Sequence, residues 1–135
     1  MASGGRHGAR RLLVQALYQM QISGHAADEL AGQFRDQPGY GRADEDYFQT
    51  LLQAVSGSTA ELDQHIGAFG DIAPEQIDPV EKAVLWVALA ELTHSADVPV
   101  KVIINEAVEL SKTFGAEGGY RYVNGLLDKA AAAIR

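Results

Sequence analysis

At 135 residues, with 47% apolar and 21% charged residues, the chain has the size and composition of one globular domain and not of a disordered segment. It contains no cysteine, which excludes disulfides and thiolate metal sites. Its longest unbroken apolar run, residues 83–90, is far short of the ~20 residues that span a bilayer.

The formal net charge of −7 is unevenly distributed. Residues 1–27 carry three arginines and no acid, residues 28–100 carry three basic and fourteen acidic residues, and residues 101–135 sum to +1. A segregated surface can meet nucleic acid through one face while the whole is acidic, and the acidic middle can equally meet a basic partner or simply face solvent. The basic start followed by apolar residues is a poor signal-peptide core, because Gln15, Gln19 and Gln21 interrupt it. A cytoplasmic protein without a membrane segment is expected.

In chain order, Leu13, Ala16, Leu17 and Met20 recur at three- and four-residue spacing and predict a helix over residues 9–22, stopped by Ser23-Gly24. Residues 1–8 are expected as a flexible basic arm. A short helix over residues 28–35 places Leu30 and Phe34 on one face, and the turn-forming residues 36–41 follow. A third helix begins near Asp44 and turns Tyr47, Phe48, Leu51, Leu52 and Val55 inward. Ser56-Gly57-Ser58 breaks it, and residues 59–69 resume.

Asp78, Pro79 and Glu81 mark the best-defined helix start in the chain: a cap, a first-turn proline, and a carboxylate where a capping box needs one. The helix that follows, residues 80–92, is apolar almost all round and therefore belongs at the centre of a bundle. Pro99 opens the next helix and Gly115 stops it. The last, residues 120–134, buries Val123, Leu126, Leu127 and Ala130. Asn105 and Asn124, in helices where asparagine has poor propensity, are expected to make buried hydrogen bonds. The chain reads as all-α with about seven helices.

Catalysis finds little support. There is no phosphate-binding G-x-x-x-x-G-K-[ST] loop, the four histidines are scattered, and Glu106 with Glu109 reads as a solvated face. No enzyme, cofactor or metal is expected. Nucleic-acid binding has a local signal. Arg6, His7, Arg10 and Arg11 sit at the start of the first helix, and Arg11, Gln15 and Tyr18 share one side of it. Arginines pair with phosphate and a tyrosine can stack on an unpaired base. The alternative, solubilising arginines beside a half-buried tyrosine, stays open on these residues alone. Tyr120-Arg121-Tyr122 forms a second aromatic–basic cluster, in which one tyrosine faces inward and the other solvent. Trp86 reads as core.

Four segments carry a family resemblance: LLVQALYQMQISG, DYFQTLLQAVSGSTAELD, VEKAVLWVALAEL and VPVKVIINEAVELSKTFGAEGGYRYVNGLLDKAA. They resemble the NusB family of bacterial transcription antitermination factors over nearly the whole chain, from Arg10 to Arg135. The resemblance implies an all-helical fold of two packed helical subdomains, here about residues 9–70 and 78–135. It implies binding of boxA RNA in ribosomal RNA transcripts together with the small-subunit ribosomal protein NusE. It also implies membership of the RNA polymerase antitermination complex with other Nus factors, and homodimers in some members. NusB-like domains also occur fused to RNA methyltransferases, but this chain carries neither a cofactor domain nor a cysteine nucleophile.

Residue by residue, the family's arginine-rich start corresponds to Arg6, His7, Arg10 and Arg11, a thinner run than in relatives. Tyr18 matches the tyrosine of the first helix and Tyr122 the aromatic of the F/Y-VNG pattern; with Gln15 and Arg121, named above from spacing and cluster, these eight are the expected RNA contacts. Arg10→Ala is then expected to weaken RNA binding and its salt dependence. Gly118-Gly119 stands where relatives often carry polar or acidic residues. Glu81 is the expected contact to the basic ribosomal protein. A protein-interaction module whose basic end is incidental is the competing reading.

Overall fold

The structure, a computed structural model, describes residues 5–135. They form seven α-helices, as the hydrophobic periodicity predicts, and two short 3-10 turns in the connections. Helix α1 (Gly5–Ser23) buries the stripe Ala9, Leu12, Leu13, Ala16 and Leu17. Gly24, at φ 75°, ends it in the left-handed conformation that spares glycine a steric cost. Residues 5–8, expected within a flexible arm, are instead the first turns of this helix; residues 1–4 lie outside the described residues.

Helix α2 (Ala27–Phe34) leads through a loop and the turn Tyr40–Arg42 into α3 (Glu45–Ser56). The Asp44 carboxylate caps α3, accepting from the Tyr47 backbone N–H at 3.0 Å. Phe48 packs against Phe34 and, edge-on, against Tyr40, with ring centroids 6.0 and 5.7 Å away, which holds the α2–α3 loop to the core. Helix α4 (Thr59–Phe69) follows the Gly57 break.

Helix α5 (Pro79–His94) is the axis of the bundle. It is buried without a break from Ala83 to Leu92 and packs against α1, α3, α4, α6 (Val100–Phe114) and α7 (Gly119–Ile134). Its neighbours cover it on every side, so an apolar surface all round is the sequence such a position needs. The buried residues form one continuous cluster running through both halves of the chain. Trp86 is core, as expected, with its indole N–H donating to Asp63 Oδ1 at 2.9 Å.

Both ends of α5 are tied. Asp78 Oδ1 accepts from the Val80 N–H at 2.8 Å, and Pro79 removes a further unpaired donor. Asp78→Ala is expected to cost about 1 kcal/mol, read as a lower thermal midpoint with the helical circular dichroism unchanged. At the other end, the Arg135 guanidinium donates to the carbonyls of Leu92, Val98, Glu91 and Ser95 at 3.0, 2.6, 3.1 and 2.7 Å. The Leu92 carbonyl is one that the helix C-terminus leaves without a backbone partner, whereas the Glu91 and Ser95 carbonyls also accept from the Ser95 and Val98 N–H groups.

Two expectations about polar residues fail. Asn105 and Asn124 are exposed and make no buried bonds, because both sit on the outward sides of α6 and α7. Glu81 does not complete a capping box; its side chain turns towards α6 instead.

Candidate nucleic-acid interface

The first-helix cations divide according to the side of α1 they occupy. Arg10, expected at the RNA surface, is 4% exposed and paired with Glu91, itself 1% exposed. Its Nε donates to both Glu91 oxygens at 3.0 Å and its Nη2 to Oε2 at 2.8 Å. Glu106 lies 3.5 Å away. Burial is the largest influence on this guanidinium and works against its charge. Glu91 opposes burial through hydrogen bonding and charge, and with Tyr47 and Glu106 it leaves the Arg10 pKa raised. The Tyr47 hydroxyl donates to Glu91 and has Ser95 Oγ at 3.2 Å. Burial, then the bond to Glu91, pushes its pKa up to about 12. Arg10 is thus an internal tie from α1 to α5 and presents nothing to a phosphate.

Its neighbours on the same side are also engaged. The His7 imidazole Nδ1 lies 2.8 Å from Glu106 Oε1. Arg6 donates to Asp97 at 3.1 Å and covers the Tyr47 ring at 4.3 Å. That hydrogen bond holds the Asp97 carboxyl below its ordinary range. Arg6 remains accessible, its side chain 42% exposed.

Another side of α1 carries what Arg10 does not. Arg11, Gln15 and Tyr18, one helical turn apart each time, line a continuous groove. The groove has two lobes that share Gln15 and Gln37. The smaller lobe, about 180 Å³, is walled by Arg11 and Arg42 and by the Pro38-Gly39 backbone. The larger, about 320 Å³, is walled by Tyr18, Phe114, Phe34 and Val80, with Gln19 at its rim. The Arg11 guanidinium lies 5.2 Å from the centre of the Phe114 ring and so joins the two lobes. Tyr18, 39% exposed, is accessible from solvent. The groove therefore passes from cations through amides to aromatic rings, the order of chemistry that phosphates and unpaired bases require.

Three comparisons bear on what this arrangement belongs to. The family model described as "NusB family" matches residues 7–132. The chain belongs to the NusB family. It is 44% identical over 135 residues to the transcription antitermination protein NusB of Burkholderia lata and 45% identical to that of Burkholderia mallei. In both cases the match covers 100% of this chain and 93% of the relative. Among solved structures it is similar to T. maritima NusB, with a TM-score of 0.81 and 23% identity over 94% of this chain and 90% of that one. It is also similar to the solution structure of NusB from Aquifex aeolicus, with a TM-score of 0.74 and 22% identity over 96% and 88%. These likenesses establish the all-α NusB fold.

Within that NusB fold, Arg121 and Tyr122 lie away from the groove. They line a separate cleft of about 280 Å³ between the end of α4 and α7, with Phe69, Gly70 and Lys129. Arg121 is exposed, but Tyr122 is half-buried and its hydroxyl points inward at Gly70, with no hydrogen-bond partner of ordinary geometry among the described residues. Burial, with Asp71 second, raises its pKa, and the Ile72 backbone opposes this weakly. Tyr122 is therefore wall rather than stacking platform. Tyr120, not Tyr122, receives the neighbouring cations, with Lys112 Nζ and the Arg121 guanidinium 4.8 and 5.4 Å from its ring centre.

Glu81, expected to meet the basic partner, is 5% exposed and its carboxylate is turned into the protein towards Ser111 and Ala116, so it offers little to a partner. Sequence reasoning missed Gln37, Arg42 and Phe114 as groove residues. Gln37 and Arg42 come from the α2–α3 loop, whose path depends on the aromatic packing of Phe48. Phe114 had a signal in its position, the last helical residue before Gly115, where a side chain can only half bury.

Proposed function

We propose that this NusB-family chain is a non-catalytic, cytoplasmic transcription antitermination factor. It binds single-stranded boxA RNA in ribosomal RNA transcripts together with NusE, within the RNA polymerase complex of Nus factors. The observation that carries the RNA reading is the groove of Arg11, Arg42, Gln15, Gln37, Tyr18 and Phe114. Family membership and the likeness to transcription antitermination proteins support the process.

In this reading Arg11 and Arg42 take consecutive phosphates, and the glutamine amides, each both donor and acceptor, meet base edges. Tyr18 and Phe114 hold a base between or upon their rings. Few cations face the groove, so counterion release contributes little: two phosphates give a salt slope of about −1.4 for a single strand. An acidic chain with so small an electrostatic contribution binds weakly alone, which is the physical reason a basic partner would bind the RNA jointly with it.

A polarisation titration with labelled boxA and scrambled oligonucleotides, with and without the ribosomal protein, tests this. Tighter binding of boxA when the partner is present is expected, and no preference in its presence would end the reading. In the same assay Arg11→Ala is expected to flatten the salt dependence by about 0.7. An unchanged slope would place the phosphate elsewhere.

A further inference from the structure

Glu81 stands in the first turn of α5, forms no ion pair with any described residue, and is nevertheless buried. Its carboxylate accepts from the Ser111 hydroxyl at 3.0 Å and, through the other oxygen, from the Ala116 backbone N–H at a longer 3.4 Å. These two donors bracket Phe114, one lying three residues before it and the other two after. The turn between α6 and α7 closes over the same carboxylate. A Cβ on Gly115 would overlap Glu81 Oε2, and one on Gly119 would lie 2.9 Å from Cδ. Glycine at both places lets the backbone approach as closely as it does. An apolar residue of similar volume would leave the Ser111 hydroxyl and the Ala116 N–H without this acceptor, so the glutamate answers to those two donors rather than to packing alone.

We infer that Glu81 is a positioning residue for the RNA groove, fixing the α6–α7 turn so that Phe114 stands opposite Tyr18. This rests on the RNA reading above. Gly115 has no side chain with which to anchor the turn, and Phe114 is the last residue of α6. The placement of its ring therefore follows from what holds Ser111 and Ala116. Val80, next to Glu81, lines the same lobe as Phe114, so the first turn of α5 supplies both part of the wall and the pin that sets Phe114.

The test has two arms, using the full chain with Glu81→Ala, Glu81→Gln and Phe114→Ala. Without RNA, Glu81→Ala is expected to speed amide hydrogen exchange at Ala116 and Gly119 and to shift the Phe114 ring resonances. Glu81→Gln, which keeps one acceptor oxygen, recovers part of both. Unchanged exchange and ring shifts in Glu81→Ala would overturn the inference whether or not the protein binds RNA. With the boxA oligonucleotide and the ribosomal protein, Glu81→Ala and Phe114→Ala each lower affinity about tenfold, the scale of one stacked base. The double variant is expected to be no weaker than Phe114→Ala alone. Losses that add would also overturn the inference, because a residue acting only on stability lowers the melting temperature without coupling to Phe114. If the unaltered protein shows no boxA preference, the RNA reading fails and the exchange arm still decides whether Glu81 holds the turn.

Discussion

Arg10→Ala is expected to destabilise the protein by about 3–5 kcal/mol in the absence of any RNA, because it leaves the Glu91 carboxylate buried without its counter-charge. For a chain of this size that is a fall on the order of 10 °C in thermal midpoint. Much of the loss is the cost of the orphaned charge. Pairing Arg10→Met with Glu91→Met, which removes both charges, is therefore expected to recover a large part of it. Calorimetric melts of the two single variants and the double variant check this. If Arg10→Ala melts like the unaltered protein and loses only RNA affinity, Arg10 faces solvent and the internal tie does not exist.

Tyr18→Ala is expected to do the reverse, sparing the fold and weakening boxA binding by about 1–3 kcal/mol, which is roughly five- to 150-fold. Its side chain is exposed enough that truncation opens no cavity. A ring that stacks contributes no counterions, so the salt slope should not change, in contrast to Arg11→Ala. Tyr18→Phe keeps the ring and is expected to bind within a few-fold of the original. Equal affinity for Tyr18→Ala across a salt series would show that the aromatic lobe does not hold a base.

The contrast between Arg10 and Arg11 shows where sequence reading stops. Helix periodicity, Asp78-Pro79, Gly24 and the apolar run of α5 are local signals, and each produced an element where expected. The side of α1 bearing Arg11, Gln15 and Tyr18 was likewise legible from spacing alone. Adjacent helical residues point about 100° apart, so one of two neighbouring arginines faces the groove and the other the core. Which is which depends on Glu91, a buried acid near the end of the apolar helix α5, 81 residues away. Glu81 misled for a similar reason: a first-turn carboxylate looks like a cap until α6 brings Ser111 within reach. Asn105 and Asn124 misled in the opposite direction, since poor helix propensity is tolerated on an exposed face without any compensating bond.

The same long-range pairing has a consequence for synthesis on the ribosome. Helix α1 emerges first, yet its apolar stripe packs chiefly on α5 and its buried guanidinium waits for Glu91. When only the first seventy residues have been made, α1 through α4 have no central helix to surround, and Arg10 has no reason to leave water. Folding in this chain is therefore expected to be delayed until α5 has cleared the exit tunnel, and to finish only as α6 and α7 close over its remaining sides. Until then the nascent chain exposes the leucines of α1, which makes it a natural client for a ribosome-bound chaperone.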